Sequence, residues 1–113
     1  MEKTTSIDAV RGKMNVYDID ASVAIGASDT ISFRAFHEKG GTAVISKARI
    51  DMNITDAANG KFQVSLDPVD TEGLTVATIF GEQRNTRALY YEATLDQGGG
   101  PQIVTSGVMY LVD

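Results

Sequence analysis

The chain has 113 residues, a net charge of −5 and no cysteine. A single domain of this size can bury a hydrophobic core, and without cysteine it has neither disulfides nor thiolate metal ligands. Hydrophobic residues make up 42% of the chain and charged residues 22%, which indicates a folded protein. The basic residues are scattered singly, so we expect neither nucleic acid nor an acidic membrane surface as a partner. The polar N-terminus and the lack of a long apolar run predict neither a secretory signal nor a membrane helix.

The N-terminal segment has no sustained hydrophobic period. We predict an N-terminal arm over residues 1–15, with a short strand at Ile7–Val10, followed by a β-sandwich domain over residues 16–113. In an assembly, such an arm could lie along a neighbouring molecule.

The first regular alternation of apolar and polar residues runs from Val16 to Ile25. It predicts a strand that ends at the turn residues 26–29. A second strand is predicted around Ile31–Ala35, where apolar residues again occupy every second position. A turn at residues 38–41 follows it.

The centre of the chain, Ala48–Leu66, has the pattern of a β-hairpin. Two alternating strands flank the turn cluster Asp56–Gly60, whose residues tolerate a positive φ. Residues 42–55 are long for one strand, so we predict a bulge or break near Ser46–Lys47, where the apolar face shifts.

The stretch after Leu66 begins with Asp67-Pro68, which ends the strand. Asp70 could cap one helical turn that Gly73 keeps short. We predict a buried strand over Thr75–Phe80 and a polar loop over Gly81–Thr86.

The last two predicted strands, Arg87–Leu95 and Gln102–Val112, flank a flexible glycine-rich tip at Asp96–Pro101. Several short strands with frequent turn signals and no long helix predict an all-β fold. We therefore expect an antiparallel β-sandwich of seven or eight strands.

Candidate catalytic residues are few. His37 is the single histidine of the chain and stands beside the turn at 38–41, without the partner that a general base or a nucleophile requires. We assign no catalytic, cofactor-binding or metal-binding residue, and we expect neither a cofactor nor an enzyme.

The side chains of Asp51, Asn53, Asp56 and Asn59 are spaced somewhat like a calcium loop. An EF-hand requires glycine at the sixth position and glutamate at the twelfth, where this chain has Asp56 and Phe62. The simpler interpretation is the solvated face of a strand followed by turn formers. Sandwich loops can nevertheless gather carboxylates from separate strands, so a calcium site is kept as an alternative.

The aromatic residues have two expected roles. Phe36 and Tyr110 could belong to a contact surface. Core packing is expected for Phe33, Phe62, Phe80 and Tyr91.

Three passages carry a family resemblance: Gly26–Phe36 with the turn after it, Ile54–Leu66, and Tyr90–Val112 with its glycine-rich tip. In this order and spacing they resemble the small immunoglobulin-like β-sandwich domains of tailed-phage virion proteins. They are similar to the N-terminal domain of phage baseplate upper proteins. The resemblance implies an immunoglobulin-like sandwich without catalytic residues. The segment between Leu66 and Tyr90 departs from it, because a further strand and a polar loop intervene there.

We therefore expect a structural protein of a tailed phage or prophage that docks on a larger tail, baseplate or head component. Other virion proteins would be its partners, and the protein would be made in the bacterial cytoplasm and located in the virion. The arm and the loops Gly81–Thr86 and Asp96–Pro101 would be the docking parts, and the arm or the strand edges would allow a homo-oligomer. The alternative is a carbohydrate- or calcium-dependent ligand-binding module.

Overall fold

The computed structural model describes residues 3–38, 40–74, 77–78 and 85–112. Its elements are β1 (Lys3–Thr4), β2 (Ile7–Val10), β3 (Asn15–Asp20), β4 (Thr30–Phe36), β5 (Ala43–Ala48), β6 (Met52–Asp56), β7 (Lys61–Leu66), α1 (Pro68–Glu72), β8 (Ala77–Thr78), β9 (Asn85–Asp96) and β10 (Pro101–Val112). Two 3-10 helices, Arg49–Asp51 and Ala57–Asn59, precede β6 and β7. Within these described ranges, no helix is both long and apolar enough to cross a membrane.

The strands form two sheets. Sheet A has the order β1–β10–β9–β4–β5, with β2 also on β10 and β8 also on β9, whereas sheet B has the order β3–β7–β6. In an immunoglobulin sandwich, β3, β7 and β6 would be strands B, E and D, and β5, β4, β9 and β10 would be strands C′, C, F and G. Two of the strands, β1 and β8, have only two residues each. The other described strands number eight, so the prediction of an immunoglobulin-like β-sandwich with seven or eight strands is confirmed.

Alternating residues of both sheets build the core. Phe62 and Leu66 of β7 and Leu89 of β9 are at most 1% exposed, as the period of two predicts. The predicted core positions of Phe33, Phe62 and Tyr91 are confirmed, whereas Phe80 lies outside the described residues.

The chain changes sheets between β5 and β6, at the 3-10 helix Arg49–Asp51. The break predicted near Ser46–Lys47 exists but comes later, because β5 stays paired with β4 as far as Ala48. Ile50 is 91% exposed, so the apolar alternation through Ala48, Ile50 and Met52 does not mark one buried face.

The N-terminal segment belongs to sheet A. Both β1 and β2 pair with β10 in the parallel direction, with Lys3 opposite Thr105 and Ile7 opposite Met109. The strand predicted at Ile7–Val10 is therefore confirmed, but the described part of the predicted arm is an edge of the sandwich. Pairing with β10 offsets the entropic cost of ordering this segment. The segment has too few apolar residues for its sequence pattern to predict that pairing.

Gly107 of β10 leaves room for the link from β1 to β2, which passes close to its backbone. Its φ is +156°, and a Cβ at this position would lie 2.2 Å from the carbonyl oxygen of Thr5. The backbone N–H of Thr5 donates to Ser106 O at 2.9 Å, which keeps the two segments in contact. Any larger residue at position 107 must therefore push the N-terminal segment away.

Gly107→Ala should lower the free energy of unfolding by about 1–3 kcal/mol, because the new Cβ overlaps the backbone of Thr5. Urea unfolding followed by circular dichroism measures the change. The control is Gly99→Ala, at a glycine with open space around it, which should change stability by less than about 0.5 kcal/mol. Equal losses in the two variants would contradict the close approach.

Candidate functional site

Three aromatic rings stack through the interior and connect the two sheets. The ring centroids of Tyr17 in β3 and Phe33 in β4 are 6.2 Å apart, and those of Phe33 and Tyr91 in β9 are 5.6 Å apart. The rings are close to parallel, with interplanar angles of 12° and 25°. Offset stacking of this kind adds to the area that the rings bury. The stack therefore fixes the position of β3 relative to the middle of sheet A.

The hydroxyl groups of the two tyrosines bind the N-terminal segment. Tyr17 donates to the carbonyl oxygen of Asp8 at 2.7 Å, and Tyr91 donates to that of Thr5 at 2.5 Å. A buried tyrosine usually finds such an acceptor, because an unpaired hydroxyl in an apolar interior is costly. These two bonds hold the edge of sheet A beside β3.

A cavity of about 180 Å³ lies between β3 and the N-terminal segment. Its lining includes Thr5, Ile7, Ile19 and the three stacked rings, so most of its wall is apolar. Asp18 and Asp20 of β3 also line it, and Asp18 is exposed to solvent. The cavity is thus an opening along one side of the sandwich, with aromatic faces inside and carboxylates at β3.

Burial raises the pKa of Tyr17 to about 12, and the nearby charges of Asp8 and Tyr91 act in the same direction. Burial also raises the pKa of Tyr91. Folding therefore favours the neutral form of both phenols, which is the form that can donate to a carbonyl.

We predict a loss of stability between about pH 10, the ordinary pKa of tyrosine, and about pH 12, the folded value for Tyr17. A raised folded pKa gives a contribution that is complete below the unfolded pKa and disappears as the pH rises through the folded one. Tyr17→Phe should be less stable at neutral pH, because it lacks the bond to Asp8, but should lose less stability across this alkaline range. Urea unfolding at several pH values gives the free energy of unfolding as a function of pH for the two proteins. Identical slopes between pH 10 and pH 12 would contradict the assignment of the raised pKa to Tyr17.

The helix α1 closes one end of the sandwich and is held by an ion pair. The Lys47 ammonium of β5 lies 2.7 Å from Oδ2 of Asp70, and its side chain is only 12% exposed. The same Asp70 oxygen accepts a hydrogen bond from the backbone N–H of Asp67 at 2.7 Å. Asp70 therefore supports the helix from within the first turn, whereas the N-cap position predicted for Asp70 is occupied by Asp67.

A second contact attaches α1 to the turn between β2 and β3. Thr71 is fully buried, and its Oγ1 accepts a hydrogen bond from the backbone N–H of Gly12 at 3.0 Å. The helix is thus fixed both to sheet A, through Lys47, and to the N-terminal segment.

Lys47→Met should lower the free energy of unfolding by about 1–3 kcal/mol, because it leaves the half-buried Asp70 carboxylate without its cation. Thermal and urea unfolding measure the loss. The matched control is Lys13→Met, at an exposed lysine, which should change stability by less than about 0.5 kcal/mol. A similar loss in both variants would mean that the ion pair does not hold α1.

Most of the large exposed apolar side chains among the described residues belong to α1 or to elements whose ends lie near it. Of the seven large exposed apolar residues among those described, two lie elsewhere, Val23 after β3 and Ile50 between β5 and β6. The other five, which we call the α1-end residues, are Val10, Met14, Val16, Val69 and Tyr110. Sequence periodicity could not identify them as a group, because they come from four separate elements and one turn.

The opposite end is ordered by a polar cluster around Asp29. Its Oδ2 accepts hydrogen bonds from Gly26 N at 2.6 Å and from Gln97 Nε2 at 2.8 Å. These bonds, first that of Gln97 and then that of Gly26, lower the pKa of Asp29, and the positive charge of Arg49 contributes further. Arg49 donates to the carbonyl oxygens of Gly26 and Asp29, both at 2.7 Å.

The glycine-rich tip at Asp96–Pro101 is therefore attached to the loop before β4, whereas the sequence predicts a flexible tip. Asp96 Oδ1 also accepts hydrogen bonds from Gly98 N and Gly100 N, at 2.9 and 3.2 Å. No sequence pattern marks Gln97 as a binding residue, because its partner Asp29 is 68 positions away. Of the other predicted docking loop, Gly81–Thr86, residues 81–84 lie outside the described residues, and Asn85 and Thr86 belong to β9.

The other residues singled out in the sequence do not converge. His37 is exposed, and no described residue forms a hydrogen bond or an ion pair with it. Phe36 is buried and its ring lies 6.1 Å from that of Tyr90, whereas Tyr110 is 42% exposed, as a contact residue would be.

The four side chains considered for calcium are engaged locally. Asn59 donates to Asp56 at 2.7 Å, Asn53 donates to Gln63 at 3.4 Å, and Asp51 accepts from Ala48 N at 3.2 Å. Within the part of the chain that the structure describes, no group of three histidine, cysteine or acidic side chains is placed to hold a metal ion. Calcium binding stays an untested alternative.

Comparison with known proteins gives no family assignment. No protein-family model and no curated protein matches the chain. Among the solved structures that match is the extracellular domain of the voltage-gated sodium channel beta4 subunit, which forms parallel homodimers and has a role in cell-cell adhesion. It is 11% identical, with a TM-score of 0.33, over 97% of this chain and 90% of that chain. A likeness of this size supports no conclusion about function, and the fold assignment above rests on strand order.

Proposed function

We propose that this chain is a non-catalytic structural protein of a tailed-phage or prophage virion that docks on a larger tail, baseplate or head component. The observation that carries the proposal is the exposure of the α1-end residues, with Val69 at 69%, Met14 at 56% and Val16 at 53%. Large apolar side chains that several neighbouring elements leave exposed can form a contact with another protein.

The α1 end is also suited to docking because its backbone is held in place. The bonds from Lys47 to Asp70 and from Gly12 to Thr71 order the helix and the adjacent turn before any partner arrives. A surface that is already ordered loses little conformational entropy on binding. This end replaces a free N-terminal arm as the proposed docking part, because β1 and β2 are paired with β10. Of residues 1–15, only Val10 and Met14 belong to the α1-end residues.

The virion assignment comes from the sequence resemblance to the immunoglobulin-like domains of tailed-phage virion proteins. An immunoglobulin-like sandwich is what that resemblance implies, and such a fold is compatible with many functions. We accordingly propose other virion structural proteins as partners and the virion as the location.

The test is incorporation into particles. Phage particles from the producing strain, purified by density gradient, should contain the protein at a fixed ratio to the major tail protein, measured by quantitative mass spectrometry. Val69→Asp should reduce incorporation about tenfold or more, because a carboxylate would be buried in the contact.

The matched control is Ile50→Asp, which puts the same charge at a residue that is 91% exposed and lies outside the α1-end residues. It should be incorporated like the wild type, and thermal unfolding should confirm that both variants fold. Absence of the wild-type protein from purified particles would contradict the virion proposal. Equal incorporation of the two variants would contradict docking through the α1 end.

A further inference from the structure

Among the described residues, sheet B ends at β3 without a neighbouring strand on its outer side. In an immunoglobulin sandwich, strand A lies beside strand B in this sheet. Here the N-terminal strands β1 and β2 pair with β10 in sheet A instead, and none of the described strands pairs with the outer edge of β3. The described strands therefore leave the place beside β3 open to a further strand.

The backbone of β3 presents hydrogen-bonding groups along this edge. Ala21 N donates to Gly60 O at 2.8 Å, and the register continues with Ile19 opposite Phe62 and Tyr17 opposite Val64. Hydrogen-bonded pairs alternate with non-bonded pairs in an antiparallel ladder, so Tyr17 and Ile19 bond to β7. The N–H and C=O groups of Val16 and Asp18 consequently point away from β7, and no described residue pairs with them.

The 180 Å³ cavity lies directly inside this edge. Tyr17 and Ile19 point into it from β3, and Ile7, Phe33 and Tyr91 line it from sheet A. A water molecule occupies roughly 30 Å³ of liquid, so the cavity is large enough for an apolar side chain entering from outside. A strand beside β3 would place every second side chain in line with Tyr17 and Ile19, over this cavity.

The charges along the edge specify the other side chains of such a strand. Asp18 is exposed and Asp20 is half-buried on the outer face of β3, and the exposed Asp8 of β2 accepts the hydrogen bond of Tyr17 through its carbonyl oxygen. Lys61 of β7 lies opposite Asp20 in the ladder, on the side away from this edge. A second copy of β3 would bring further aspartates against Asp18, and like charges directly opposite are destabilising. A partner strand with lysine or arginine at these positions would be favoured.

We propose that the outer edge of β3 binds an extended segment of a partner protein in which apolar residues alternate with lysine or arginine. The segment adds a strand to sheet B through the backbone groups of Val16 and Asp18. Its apolar side chains enter the cavity over Tyr17, Phe33 and Tyr91, and its basic side chains face Asp18 and Asp20. This is recognition by strand addition, in which the main chain supplies affinity and alternate side chains supply specificity. The contact shares only the backbone of Val16 with the α1-end residues and does not depend on the virion proposal.

The experiment uses the whole chain and a capped seven-residue peptide that alternates valine and lysine, with a valine–glutamate peptide of the same length as a comparison. Binding is measured by isothermal titration calorimetry, and amide hydrogen exchange by nuclear magnetic resonance. We expect saturable binding of the valine–lysine peptide alone, with slower exchange of the Val16 and Asp18 amides. Asp18→Lys should weaken binding about tenfold, because it turns an attraction into a repulsion.

The matched control is Glu72→Lys, which makes the same charge change at an exposed residue of α1 and should leave the affinity within about twofold. If Asp18→Lys fails to fold, Asp18→Asn takes its place in the titration. It keeps an oxygen acceptor for Gln63 Nε2, which lies 2.8 Å from Asp18 Oδ1. The proposal is overturned if neither peptide binds at millimolar concentration, or if slower exchange maps to β5 or β6 instead. Equal weakening by Asp18→Lys and Glu72→Lys would overturn it as well.

Discussion

The stack of Tyr17, Phe33 and Tyr91 is the interaction on which the arrangement of the sandwich depends. Phe33 is completely buried and Tyr91 nearly so, which makes the middle of sheet A a fixed surface against which β3 is positioned. Because both tyrosine hydroxyls donate to carbonyl oxygens of the N-terminal segment, the same stack also determines where that segment lies. Inter-sheet packing and the path of the first strands are thus coupled through two side chains.

This coupling accounts for the unequal width of the two sheets. The N-terminal strands follow β10, where Gly107 lets the backbone of Thr5 approach, and the tyrosine hydroxyls retain them there. A strand cannot at the same time pair with β3 in the other sheet, so sheet B stops after three strands. The cavity beside Tyr17 has the same origin, because on this side two hydroxyl contacts, and no described strand, cover the interior.

The sequence predicted those parts of the fold that depend on local alternation. The strands around Phe33, Phe62 and Tyr91 were predicted with their inward faces, since burial on one face of a strand repeats every second residue. The sequence could not predict the contacts of single polar residues across the sandwich. Lys47 meets Asp70, and Arg49 meets the loop at Gly26, through side chains whose positions follow only from the assembled sheets. For the same reason, the sequence could not show that the N-terminal segment pairs with sheet A, because its partner β10 is about a hundred residues away.

The acidic residues of β3 can serve two purposes with one physical mechanism. An uncovered edge strand tends to pair with another copy of itself, and charged side chains along the edge oppose that pairing. Asp18 and Asp20 do so for a chain whose net charge is already −5, since two copies would have to bring their carboxylates together. The repulsion disappears for a strand of opposite charge, which gains an attraction at the same positions. The charge that protects the edge from self-association is therefore also the one that would select its partner.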